Sequence, residues 1–379
     1  MARAPAAEIE ALPEPDRVEG APHPRETEHL YGQSAAEAAF LDSYRRGRLH
    51  HGWLLTGPRG VGKATLAWKI ARFLLATPAD DGGMFAPPPP ETLDIPVDHP
   101  VARRMRALGE PRLFLLRRGE NESGSALSAE IRIDEVRKVK HFFQMSAADG
   151  GRRVVIVDSA DEMTVQASNA ILKFLEEPPA DATLLLVSHQ PSRLLPTIRS
   201  RCRELRLSPL GAQDMAAALA ATGSETDAPE ALAELAGGSV GEAIRIANLD
   251  GLKLYGDLIA LMATLPRLDR PRALALAEAG AGRGAEARFD LILRLMDLFL
   301  ARLARFGATG EMPPEAAPGE ARVIERLSPN PQAALTWADL AQTLGQRARR
   351  GRAVNLDPAA LLMDMVLRID ETAGKLAPR

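Results

Sequence analysis

Trp53-Leu54-Leu55-Thr56-Gly57-Pro58-Arg59-Gly60-Val61-Gly62-Lys63 is a short apolar run that breaks into a glycine-rich turn and ends on a lysine. The residues that follow, ATLAWKIARFLLA from Ala64 to Ala76, repeat apolar side chains at helical spacing. Strand, glycine turn and helix in that order make a phosphate-binding loop. Gly57, Gly60 and Gly62 let backbone N–H groups turn inward around phosphate oxygens. The helix start adds partial positive charge, and Lys63 reaches the terminal phosphates. The plain alternative is a tight bend whose glycines serve only the turn. The residue after the lysine holds magnesium through a hydroxyl in such loops, and here it is Ala64. Thr65 lies one place later, turned by about 100° around the helix axis. Residual ATP binding is the most this loop is expected to keep, with no cofactor required.

Further strands follow. Arg153–Asp158 (RVVIVD) reads as a buried strand ending in an acid, where nucleotide hydrolases face their metal. Asp158 serves equally as a strand-end salt bridge or helix cap. The next residue is Ser159 instead of a catalytic glutamate, and Asp161 and Glu162 come too late to have a clear aim. Two catalytic positions are thus altered, in a chemistry that depends on positioning and electrostatics. Thr183–Ser188 (TLLLVS) is another buried strand, and Cys202–Leu207 one more. Helical patterns lie between them: Ser34–Leu49, with Ser34 as N-cap; Ile131–Met145; and MTVQASNAILKFLEE, stopped by Pro178-Pro179. Alternation of this kind predicts an α/β domain over residues 26–207, a parallel sheet with flanking helices. A mobile, Pro-rich arm is expected at 1–25 and a Pro-rich insertion at 78–100. After Pro209 the chain is rich in Ala and Leu without a convincing strand. Two all-α domains are expected, a small one at 208–250 and a longer one at 251–379.

The bulk composition agrees. The chain has 379 residues, 46% hydrophobic and 26% charged, with net charge −3. That excludes collagen-like, coiled-coil and largely disordered classes, and any global basic field. One cysteine, Cys202, excludes an intramolecular disulfide framework and a cysteine-rich zinc site. No apolar run is long enough to span a membrane, so no membrane is expected among its partners, and the start does not read as a secretory signal. A cytoplasmic, nucleoid-associated location is the expectation.

The order HGWLLTGPRGVGKAT, VVIVDSADEM, SNAILKFLEEPPADATLLLVSHQPSRLLPTIRSRC, then helices, resembles the delta-prime subunits of the bacterial DNA polymerase III clamp loader, which are AAA+ proteins. The resemblance covers residues 26–250. It implies an AAA+ fold of P-loop type followed by a helical lid (208–250) and a helical collar (251–379). It also implies a place in a ring with gamma/tau ATPase subunits and a delta subunit, loading the sliding clamp onto primer-template DNA within the polymerase holoenzyme, a nucleotidyltransferase complex. Autonomous catalysis is not expected. Arg201, in Ser200-Arg201-Cys202, maps onto the arginine finger that acts in trans on a neighbour's ATP; its ordinary reading is a surface salt bridge. Ser188 maps onto a polar sensor position. The arginine that touches the γ-phosphate in motor subunits is replaced by Gly241, after Gly238-Ser239-Val240. Many relatives carry a four-cysteine zinc module that this chain lacks, so zinc is not expected.

Two other readings stay open: an ATPase turning over through Lys63, Thr65 and Asp158, and a module that follows DNA backbone with Arg137, Lys138 and Lys140. The ordinary reading of that basic cluster is a solvated helix face. His50-His51 reads as structural.

Overall fold

A computed structural model describes residues 14, 17, 20–77, 88–121, 126–144, 151–223, 226–282, 284–354 and 356–377. The chain divides into two units, residues 1–210 with 239–241 and residues 211–238 with 242–379.

The first unit holds five parallel strands: β1 (Gly52–Thr56), β2 (Leu113–Arg117), β3 (Arg153–Asp158), β4 (Ala182–Ser188) and β5 (Arg203–Arg206), in the order β2-β3-β4-β1-β5. Strands β1 and β4 are buried at every residue, as sheets covered on both faces require, so they read as continuous apolar runs. The register sets Thr56 beside Ser188, and Asp158 beside Val187. The carboxyl ends of β1, β3 and β4 therefore meet at one edge, where open parallel sheets build their sites.

Helix α1 (Ser34–Arg45) precedes β1, and α2 (Lys63–Ala76) follows it. Leu66, Trp68, Ile70, Phe73 and Leu74 of α2 are all buried. Helices α4 (Ile133–Gln144) and α5 (Val165–Glu176) bring Val136, Val139 and Ile171 into a core with Leu54, Leu116, Val155, Val157, Leu184 and Leu186.

The structure departs from expectation at four places. The N-cap of α1 is Gln33, not Ser34, and its side chain caps nothing. Instead the buried Gln33 amide donates to the carbonyls of Val61 and Ser208 and accepts from the Ser208 N–H. Strand β2 and helices α3 (Pro100–Arg106) and α6 (Pro196–Ser200) were not anticipated. The expected mobile arm lies mostly outside the described residues, but its described part is anchored. His23 is fully buried edge-on to Trp68, and the Glu14 carboxylate lies between Arg25 and Arg117. The insertion is described only from residue 88 onward.

The second unit is helical: α7 (Ala212–Ala221), α8 (Pro229–Ala236), α9 (Val240–Asn248, from Glu242 on), α10 (Gly251–Met262), α11 (Arg270–Ala279), α12 (Glu286–Thr309), α13 (Glu320–Leu327), α14 (Pro331–Ala353) and α15 (Pro358–Leu376). Of the residues expected to form a lid and a collar, 211–238 and 242–379 fall into one compact unit, while 208–210 and 239–241 belong to the first; within the second unit, ion pairs cross the expected boundary at residue 250. Arg294 of α12 meets Glu242 of α9 at 2.5 Å, and Arg302 lies 3.9 Å from Glu234 of α8. At the centre, the fully buried Glu320 accepts from the Tyr255 hydroxyl at 2.5 Å and pairs with Arg302 at 2.8 Å. Burial and the Glu320 charge push the Tyr255 hydroxyl far above its ordinary pKa.

Candidate nucleotide site and arginine loop

The phosphate loop forms where the sequence places it, with Gly57, Gly60 and Gly62 all at positive φ. Gly60 shows why a side chain is excluded. At φ +78° a Cβ there would stand 2.1 Å from Ser239 Oγ. The Gly60 carbonyl accepts from the Val240 N–H at 3.0 Å. The Gly-Ser-Val-Gly segment, read from sequence only as a missing sensor, thus closes directly on the loop.

Lys63 opens α2 and is 3% exposed. Its ammonium donates to the carbonyls of Gly57, at 2.8 Å, and Pro58. Burial pushes its pKa down to about 8; Asp158 and Asp161 pull the other way, and Arg59 adds to the fall. The ammonium is satisfied by its own loop. Ala64 brings no oxygen to the helix start, and Thr65 is half-buried on α2.

Near Lys63, Asp158, Ser159, His189 and Asp161 are linked to one another. Asp158 accepts from Ser159 Oγ at 3.3 Å, and Ser159 Oγ meets His189 Nε2 at 3.0 Å. The His189 N–H donates to Asp161 at 2.9 Å. Burial first, then the charges of Lys63 and Arg59, push the His189 ring down to about 4 against the pull of Asp161, so it is neutral at pH 7. Glu162 pairs with Arg118 at 3.0 Å and Arg59 at 3.5 Å. Both acids that might have replaced the missing base are therefore engaged elsewhere. Ser188 is fully buried with its Oγ unpartnered. His189 is a site residue that sequence reading missed; its only signal was its place directly after Ser188.

Arg201 is the C-cap of α6, just before β5. Its guanidinium donates to the Thr197 carbonyl at 3.2 Å and pairs with Glu176, the last residue of α5, at 2.9 Å. The backbone here is crowded. A Cβ on Gly52 would stand 2.7 Å from Leu175 Cδ2, 3.2 Å from the Arg201 carbonyl and 3.3 Å from Cys202 Sγ. Burial pushes the partly buried Cys202 thiol up to about 12, so little of it is thiolate at neutral pH. Arg199 is exposed.

Parallel pairing fixes where Arg201 stands relative to the loop. Trp53 pairs with Arg203, and Thr56 with Arg206. Arg201 is thus level with His51 at the amino end of β1, while Gly57 begins the loop at the carboxyl end. The five residues of β1 separate these ends, about 17 Å at the rise of extended chain. An arginine side chain does not bridge that distance, so Arg201 and Lys63 are not brought together.

His50 and His51 stack at 4.4 Å, and His51 Nε2 bonds the Leu175 carbonyl at 2.9 Å, a structural role. On α4, Arg137 pairs with Asp134 at 2.6 Å and Lys138 with Glu135 at 2.8 Å, so two of the three candidate DNA cations are balanced locally. Among the described residues no helix is long and apolar enough to cross a membrane.

Comparison with known proteins finds relatives for this part of the chain. Residues 32–211 match the family model described as DNA polymerase III, delta subunit. The delta-prime subunit of DNA polymerase III from Pseudomonas aeruginosa is 37% identical over 203 residues, 53% of this chain and 56% of that one. The delta-prime subunit of Escherichia coli is 33% identical over 175 residues, 44% of this chain and 45% of that one. The tau subunit of Salmonella typhimurium is 28% identical over 274 residues, 69% of this chain and 39% of that one. The chain spans about half the length of the delta-prime relatives it matches. Over residues 32–211, with its parallel α/β sheet and altered phosphate loop, the chain is similar to the delta-prime subunits of DNA polymerase III.

Proposed function

We propose that this chain is a non-hydrolysing subunit of the DNA polymerase III clamp loader and that Arg201 acts on the ATP of a neighbouring subunit. The observation that carries the reading is the position of Arg201, at the end of the sheet opposite the chain's own phosphate loop. A guanidinium is permanently charged and can bridge two phosphate oxygens, which suits delivery in trans. The missing hydroxyl at Ala64, and Ser159 where a hydrolase carries its catalytic glutamate, support the absence of turnover in this chain. Its partners in this reading are gamma/tau ATPase subunits and a delta subunit, and the ring acts on the sliding clamp and primer-template DNA. Residues 208–250 serve as lid and 251–379 as collar. A ring reconstituted with Arg201→Ala tests the proposal. At the ATP site the arginine serves, turnover is expected to fall by roughly 10³-fold or more, with assembly intact. Unchanged turnover in an assembled ring rejects it.

A further inference from the structure

The contact between Arg201 and Glu176 joins two points whose backbones are both pinned. Glu176 ends α5, where His51 binds the carbonyl of Leu175 and the Glu177 N–H returns to Lys173. Arg201 ends α6, with its N–H on Ile198 and the Cys202 N–H on Arg199. A side chain at Gly52 would collide with Leu175 and crowd the Arg201 carbonyl, so glycine is what lets both segments approach β1 here. The two side chains remain free to swing, for they are 38% and 47% exposed. Both terminal nitrogens of the guanidinium are in use, Nη2 on Glu176 and Nη1 on Thr197. Those are the atoms that would grip two phosphate oxygens.

We infer that Glu176 is a stowing residue. Its single carboxylate holds Arg201 against its own subunit until the polyphosphate of a neighbour, with several negative charges, outcompetes it. The inference rests on the reading of Arg201 as a finger in trans. Stowing subtracts from the fraction of subunits ready to engage, so apparent affinity for the ATP-loaded state falls by that fraction. An exposed ion pair of this kind changes such a fraction by about 1.5- to 5-fold.

The test is steady-state ATPase kinetics of rings reconstituted with wild type, Glu176→Gln, Arg201→Ala and the double variant. Glu176 is exposed at a helix end, so the neutral glutamine leaves the fold intact. Expected is a KM for ATP lowered about 1.5- to 5-fold by Glu176→Gln with kcat unchanged, and no effect of Glu176→Gln in the Arg201→Ala background. A lowered kcat, an unchanged KM, or the same shift with and without Arg201 overturns stowing while leaving the finger intact. Normal turnover with Arg201→Ala alone overturns the finger and stowing with it.

Discussion

Lys63 should make the stability of the protein rise with alkaline pH. Its ammonium is buried and held at about 8 against an ordinary 10.5, chiefly by loss of water, so folding disfavours the charged form. Below about 8 the charge is present in both states and the penalty is complete. As pH climbs from about 8 towards 10.5 the folded state sheds the proton before the unfolded one, and the penalty is relieved. The shift corresponds to about 3 kcal/mol in total, of which about 2 kcal/mol is recovered between pH 7 and pH 9.5. Urea denaturation of wild type and Lys63→Met at those two pH values isolates this group from all others that titrate. The wild type is expected to gain about 2 kcal/mol relative to the variant. Parallel pH dependence in the two proteins would show that the lysine is not desolvated in its own loop. It would also remove the argument that the loop is closed on itself.

Other consequences can be measured directly. Gly60→Ala should destabilise by about 1–3 kcal/mol, from strained backbone and collision with Ser239; thermal unfolding should show a smaller loss in a Ser239→Ala background, and equal losses would refute the contact. Cys202 should react with a disulfide reagent at pH 8 about 10³-fold more slowly in the folded chain than in urea, since its thiol sits at about 12. Fast labelling of native protein would contradict its burial. Glu320→Ala strands the buried Arg302 charge and should cost about 3–5 kcal/mol in the helical unit by denaturant titration; a neutral result would refute the central network.

Much of this was legible before any coordinates, because local rules agreed with the fold. The strand, glycine turn and helix at Trp53–Ala76 read correctly from period and punctuation, and so did the buried strands β3 and β4; β5 forms where expected but is an edge strand with three of its four residues exposed. Strand β2 did not. LFLLR is short, lacks alternation and does not differ in pattern from one turn of a buried helix. The arginine was located by its tripeptide, but its partner Glu176 lies 25 positions earlier, and no spacing rule joins a helix end to a distant turn. The commitments of Asp161 and Glu162 to His189, Arg118 and Arg59 are likewise tertiary. From sequence those two acids were unaimed carboxylates, and only the packed sheet edge shows where each one goes.

Nucleotide titration of the isolated chain with magnesium and ATP tests the loss of hydrolysis most directly. No turnover and no saturable binding in the micromolar range are expected, because Ala64 offers the metal no side-chain oxygen and Ser159 stands where the catalytic glutamate is needed. Micromolar affinity accompanied by ATP hydrolysis would contradict that loss.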